Sequence, residues 1–324
     1  MKLTFVNVGY GEAILLECPD PAYENGTFVM LIDGGGARAD EFADRSSGRI
    51  PLVEYLREKG LDHIDLMVSS HPHEDHICGL VQAAELLMPA ALWQMLPVGL
   101  AEPMTLLDAD SGQTSSEKLF MQGLNAHKKL CTMLAANGST VSAVYTGESG
   151  QLCDGLSYQV LAPSAEKSAE LGDALCRLYE ASGKEFFRQL NALDSRMNNS
   201  SLILALNYQG KKILLPGDTN AMGYREIDPA DLHADLFKVG HHGQLDGADQ
   251  KLLDAVQPKA VVCCASSDRR YNSAHPDVVD LMRQNGAEVY FSDCPELPGL
   301  ELTPHRAVSF MVGDGGAFSA EYII

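Results

Sequence analysis

The sequence predicts an α/β fold in which one domain is assembled from two halves of alternating strands and helices. Three observations carry this expectation. Short apolar segments rich in β-branched residues recur along the chain, each ending in a polar or glycine-containing loop. Several of those loops lead into amphipathic segments of helical period. No linker-like or low-complexity segment separates the first half from the second. A chain of 324 residues, 45% of them hydrophobic, has ample material for a core.

Strand signals open the chain at residues 2–8, 13–18 and 28–32. The third ends in Asp33-Gly34-Gly35-Gly36, and because no Gly-Lys-Ser/Thr follows, the glycines read as a tight turn instead of a phosphate loop. Residues 50–59 read as a helix capped by Gly60. An apolar strand at 64–68 leads through a polar loop into an amphipathic helix at 77–87. A strand follows at 91–96. Helices are expected at 115–136 and 165–190, with strands near 141–145 and 157–161 between them. The helical stretches, at roughly 100–140 and 165–195, read as insertions, which commonly shape access to a site. The second half repeats the alternation. Strands are expected at 201–206, 212–215, 236–239 and 260–264, helices at 248–256 and 277–285, and closing strands at 288–291, 307–312 and 320–323.

Composition narrows the partners. The formal net charge is −20. An acidic surface repels polyanions over a Debye length of ~10 Å, so tight binding of long duplex nucleic acid is not expected. A small or short anionic phosphodiester remains compatible, because divalent metals would make a site positive. No stretch approaches the roughly 18 apolar residues of a membrane span. The first residues read as a strand, not a signal peptide. The eight cysteines contain no C-x-x-C pair and read as reduced, mostly buried thiols, which points to a cytoplasmic protein. Nothing in the sequence sets the oligomeric state.

The chemistry is concentrated in His71-Pro72-His73-Glu74-Asp75-His76, where three of the ten histidines fall in six positions. His71 and His73 are two apart, so in extended chain they face the same way and can share one metal. Asp75 and His76 lie where the chain enters a helix and can face a second. Imidazole with carboxylate suits zinc, manganese or iron. Three later strand ends offer further candidates. Lys-Ile-Leu-Leu-Pro-Gly-Asp presents Asp218. Ala-Asp-Leu-Phe-Lys-Val-Gly-His-His-Gly presents His241 and His242, of which one is expected to bind metal because consecutive side chains point apart. We take His241 as the ligand. His242 is then left to orient a ligand or to protonate a leaving oxygen. His275, before a helix, is a further candidate ligand, whereas His63, His127, His233 and His305 have no such context.

The run of histidines resembles the His-x-His-x-Asp-His signature of the metallo-β-lactamase superfamily, which implies a four-layer αββα sandwich holding one or two metals. In that superfamily an aspartate in the place of Asp218 bridges the ions. Where many members carry another metal histidine, this chain has Asn198-Asn199-Ser200-Ser201, and that stretch is similar to the hydrolase domain of ComEC-type competence proteins. Phe5 to Ala13, Leu31 to Gly35, Lys238 to Gly243 and His275-Pro276 agree with the same family, although Asn7 and Glu12 stand where it usually has aspartates. The resemblance implies a dinuclear zinc or manganese hydrolase of phosphodiesters, with a metal-held hydroxide oriented by Asp75 and with Asn198 and Asn199 near substrate. No membrane channel accompanies these motifs, so DNA uptake as such is not expected of this chain. Two other readings compete: hydrolysis of a thioester, lactone or β-lactam, and a metal-stabilised regulatory protein without turnover. A flavodiiron role fits less well, since that branch has Glu where His73 stands.

Overall fold

The computed structural model describes residues 1–23, 25–313 and 316–324. Its strands form two mixed sheets. The first has eight strands: β1 (Lys2–Val6), β2 (Ile14–Pro19), β3 (Thr27–Ile32), β4 (Leu66–Ser69), β5 (Ala91–Gln94), β6 (Thr140–Ala143), β14 (Ala307–Val312) and β15 (Phe318–Ile323), in the order β15-β14-β1-β2-β3-β4-β5-β6. The second has seven: β7 (Ser149–Cys153), β8 (Leu156–Ala162), β9 (Ile203–Tyr208), β10 (Lys211–Leu215), β11 (Leu236–Lys238), β12 (Ala260–Cys263) and β13 (Glu288–Phe291), in the order β13-β12-β11-β10-β9-β8-β7. Each sheet is antiparallel at one end and parallel at the other. Strands β3 to β6 run parallel in the first sheet, and β10 to β13 in the second.

Alternation along the second sheet shows how the layers form. Leu204, Leu206, Ile213, Leu215, Leu236 and Val262 join the core shared with the first sheet. Their neighbours Ile203, Leu214, Phe237 and Val261 face a separate cluster. This is the period of two expected of a strand buried on both faces. Helices α7 (Gln250–Val256) and α8 (Pro276–Gln284) cover that outer face, with the short α6 (Pro229–Leu232) beside α7. Helices α1 (Leu52–Lys59), α2 (Glu74–Leu86) and α3 (Ser115–Ala136) pack against the first sheet. The result is four layers, helices on either side of two sheets. No helix among the described residues is long and apolar enough to cross a membrane.

Two features position the histidine loop. Helix α2 begins at Glu74, three residues earlier than expected, so Asp75 and His76 lie in its first turn. The helix then sits directly on the backbone after β3. A Cβ on Gly79 would lie 1.8 Å from Gly34 O, and one on Gly34 would lie 2.2 Å from Leu80 N. Asp33-Gly34-Gly35-Gly36 is therefore the seat of α2 as well as a turn. Likewise a Cβ on Gly123 of α3 would lie 2.2 Å from Pro72 O, so α3 supports the histidine loop from the other side.

The stretch expected as one helix at 165–190 is two, α4 (Ala165–Glu180) and α5 (Gly183–Met197), broken where Gly183 takes a left-handed φ of 57°. Although this helical pair follows β8 of the second sheet, it docks on the first-sheet side. Ser168 Oγ of α4 donates to Met95 O beyond β5, and α5 packs on α3.

Candidate metal centre

The loops after β3, β4, β10 and β11 meet at one place, each from the C-terminal end of its strand, where ligands of such folds collect. Rings of His73, His71, His76 and His242 form a continuous row, with centroid separations of 4.6, 4.2 and 5.3 Å, and Tyr10 lies 4.5 Å beyond His242. Asp75 and Asp218 lie against this row.

The outer nitrogen of each imidazole is already committed. His76 Nδ1 donates to Asp33 Oδ2 at 2.8 Å. His242 Nδ1 donates to Cys264 O at 2.8 Å. Ser70 Oγ gives its only proton to Asp33 Oδ2 at 2.5 Å, so it accepts from His71 Nδ1 at 3.0 Å. His73 Nε2 donates to Asp194 Oδ1 at 3.0 Å. The inner nitrogens therefore present lone pairs to one another and to carboxylates. His71 Nε2 and His73 Nδ1 are 3.0 Å apart. His76 Nε2 is buried without a hydrogen-bond partner, 3.3 Å from Asp218 Oδ2 and 3.8 Å from Asp75 Oδ2. His242 Nε2 is 2.9 Å from Asp218 Oδ2 and 3.0 Å from Asp75 Oδ2. Lone pairs facing lone pairs at these distances require a cation or a proton between them. Asp75, His76, Asp218 and His242 together offer four donor atoms within 4.8 Å of one another. The donor set thus fits divalent cations.

The electrostatics agree. Burial works against a charged His76, yet Asp218, Asp33 and Asp75 outweigh it and raise its pKa well above the ordinary value. His242 is likewise carried up to about 9 against burial, by Asp218 and Asp75. Burial would raise Asp218, but His242, His76 and Lys238 hold it well below the carboxylate range. Burial would also raise Asp75, and His76 with His242 keeps it low. Burial lowers His71, the neighbouring His76 and His73 lower it further, and Asp218 offsets only part of this, so it falls well below its ordinary value, as a neutral ligand should.

The expectation that His241 joins the cluster is corrected by the backbone. Residues 241 to 243 all take left-handed φ, at 49°, 51° and 66°. Such values are uncommon outside glycine. The turn carries His242 inward, to full burial, and leaves His241 at the cleft wall, where Nδ1 pairs with Asp246 Oδ1 at 2.8 Å. His275 is also outside the cluster. It is the N-cap of α8, its Nδ1 accepting from Asp277 N at 3.2 Å. Asn198 and Asn199 do line the cleft, a space of about 790 Å³ above the cluster. Asn199 Oδ1 accepts from Asn220 N at 3.0 Å, while Asn198 Oδ1 is buried without a partner.

Several residues of the site were not picked out in the sequence. Asp33 orients His76 and Ser70, and a strand end in Asp-Gly-Gly was the available signal. Lys238 and Glu12 pair in full burial, and Lys238 Nζ also reaches Gly217 O at 2.7 Å and Asp218 Oδ1 at 3.1 Å. A lysine inside an apolar strand was a signal that periodicity discounts. Asp194 sits on α5, with nothing local to distinguish it from a surface carboxylate.

Comparison with known proteins shows what the chain resembles. Residues 13–93 match the model of the metallo-beta-lactamase superfamily. The chain is 23% identical over 301 residues to ComE operon protein 3 of Bacillus subtilis (strain 168), covering 90% of this chain and 32% of that protein. The chain thus spans about a third of the length of the curated relative it matches. Among solved structures, an isothiocyanate hydrolase from Delia radicum gut bacteria is 15% identical with a TM-score of 0.44, covering 94% of this chain and 100% of that one. A diphosphatase of the PhnP family is 12% identical with a TM-score of 0.42, covering 94% and 99%. The matched segment runs from β2 through the histidine loop to β5, so the part of the chain that carries the histidine loop is similar to the metallo-beta-lactamase superfamily, and it belongs to a fold of two mixed sheets flanked by helices.

Proposed function

We propose that the chain is a dinuclear metal-dependent hydrolase that cleaves a small or short phosphodiester. The observation that supports this reading is the convergence of four bare imidazole nitrogens and two carboxylates at the floor of an open cleft. His71 and His73 would hold one ion, Asp75, His76 and His242 the other, with Asp218 between. When bound, two divalent cations, zinc or manganese, supply positive charge for the attacked phosphate and lower the pKa of water.

The chain's own groups would do the rest. Asp75 stays ionised at neutral pH, so it can orient the attacking water and accept its proton. His242 gives Nδ1 to Cys264 O and would give Nε2 to an ion, so the role of protonating a leaving oxygen passes to His241, backed by Asp246 and lining the cleft. Arg38, paired with Asp40, and Arg270, paired with Glu41 and with its guanidinium 5.6 Å from the Tyr10 ring, line the same cleft and are the cationic side chains there that an anionic substrate could meet. Asn198 Oδ1, buried and unpartnered at the cleft, is suited to accept a hydrogen bond from substrate.

The test is hydrolysis of bis(p-nitrophenyl) phosphate by metal-stripped protein reloaded with Mn²⁺ or Zn²⁺. Activity that returns with metal, vanishes in Asp75→Ala and falls on the leaving-group side of the pH profile in His241→Ala supports the proposal. Two bound ions without phosphodiester turnover, but with cleavage of a thioester, would move the substrate class to carbonyl compounds. A chain that binds no metal would refute the reading.

A further inference from the structure

We propose that Asp194, carried on the helical insertion, is a positioning residue for the first metal position, acting by fixing the tautomer of His73. The inference rests on the dinuclear reading above. An ionised carboxylate only accepts hydrogen bonds, so the 3.0 Å contact from Asp194 Oδ1 places the proton of a neutral His73 on Nε2. Nδ1 is then bare, and it is Nδ1 that faces His71 Nε2 at 3.0 Å. With the proton on Nδ1 instead, His73 would offer the first ion no lone pair.

Asp194 is itself fixed from α3. Its Oδ2 accepts from Ser116 Oγ at 2.5 Å. Asn191, one turn earlier on α5, donates to Glu117 Oε1 at 2.9 Å. Phe120 of α3 stands edge-on to the His73 ring at 5.3 Å. The other imidazoles of the row are oriented by Ser70, Asp33 and Cys264 O, all at ends of sheet strands. His73 alone among these takes its orientation from the α4–α5 insertion. The insertion is therefore part of the metal centre and not only a wall of the cleft. Partners of this kind typically change metal affinity 10–100-fold, on the order seen when a ligand histidine loses its carboxylate.

The experiment uses the full chain and two readouts. Metal-stripped wild type, Asp194→Ala and Asp194→Asn are titrated with Zn²⁺ against a competing chelator. Long-range ¹⁵N–¹H spectra of the same metal-free proteins, labelled at histidine, report which ring nitrogen of His73 carries the proton. We expect two ions per wild-type chain, with one affinity weakened roughly 10–100-fold in Asp194→Ala and the other unchanged. Asp194→Asn, whose amide oxygen can still accept from Nε2, should regain most of that loss. In the spectra His73 should be the Nε2–H form in wild type and lose that preference in Asp194→Ala. Equal weakening of both sites, or an unchanged tautomer in Asp194→Ala, would overturn the proposal. So would a wild-type spectrum with the proton on Nδ1, whatever the fold of the variants. Fewer than two ions on wild type would instead remove the dinuclear reading, while the spectra would still decide what Asp194 does to His73.

Discussion

Replacing Lys238 by Met tests the electrostatic frame beneath the metal centre. Lys238 and Glu12 are both fully buried and form an ion pair that joins the strand ends of the two sheets. Among the described residues no other hydrogen-bond partner reaches the Glu12 carboxylate. Breaking one side of such a pair leaves a charge without compensation, which costs about 3–5 kcal/mol. For a chain of 324 residues the unfolding entropy is roughly 0.7 kcal/mol/K, so a loss of about 4 kcal/mol lowers Tm by about 6 °C. The sign with pH is also set. Burial raises Glu12, Lys238 opposes it, and Asp33 adds to the rise. Without Lys238 the folded pKa climbs further. A carboxyl raised in the folded state contributes stability at low pH that is lost as pH passes through the raised value. The deficit of Lys238→Met should thus be smaller near about pH 5 than near about pH 8. Glu12→Gln added to Lys238→Met removes the stranded charge and should recover at least about 2 kcal/mol. The assay is urea and thermal unfolding of metal-free protein in chelator, so that ion binding does not enter. A single variant within about 1 kcal/mol of wild type, or a double variant no more stable than the single, would refute the reasoning.

Two further outcomes follow from the same geometry. Asp33→Ala removes the carboxylate that accepts from both His76 and Ser70, and should weaken metal binding about 10–100-fold by chelator competition, with the fold retained by circular dichroism. His127, buried on α3, has its pKa pushed down to about 4 by burial. Below its unfolded value of about 6.5 the unfolded chain takes up a proton that the folded one refuses, so stability falls between about pH 6.5 and about pH 4, by roughly 3 kcal/mol. His127→Gln should flatten that part of the profile, and parallel profiles for the two proteins would count against it.

What could be read in advance divides by sequence distance. The histidine loop was legible because its donors are contiguous and lie between an apolar strand and an amphipathic helix. Asp218 was legible as a carboxylate at the end of an apolar strand. The choice between His241 and His242 was not, because it depends on left-handed torsions at 241 and 242 that neighbouring residue types do not dictate. His275 had the right place after a strand, but its ring is used to cap α8. Asp33, Glu12, Lys238 and Asp194 act through partners dozens to hundreds of residues away, and no local pattern encodes those pairings. Strand β7 escaped notice because its Ser-Gly-Gln segment is exposed and lacks alternation.

The distance between donors also bears on how the chain folds. Asp75 and His242 meet across 167 residues, from different sheets. A cation can gather its whole ligand set only after both sheets have formed and packed, because closing so long a loop precedes any reward from the contact. Ion binding should therefore leave the folding rate nearly as it is and slow the unfolding rate, as expected for interactions absent from the transition state. For this architecture a bound metal would be a brake on opening, not a template for assembly.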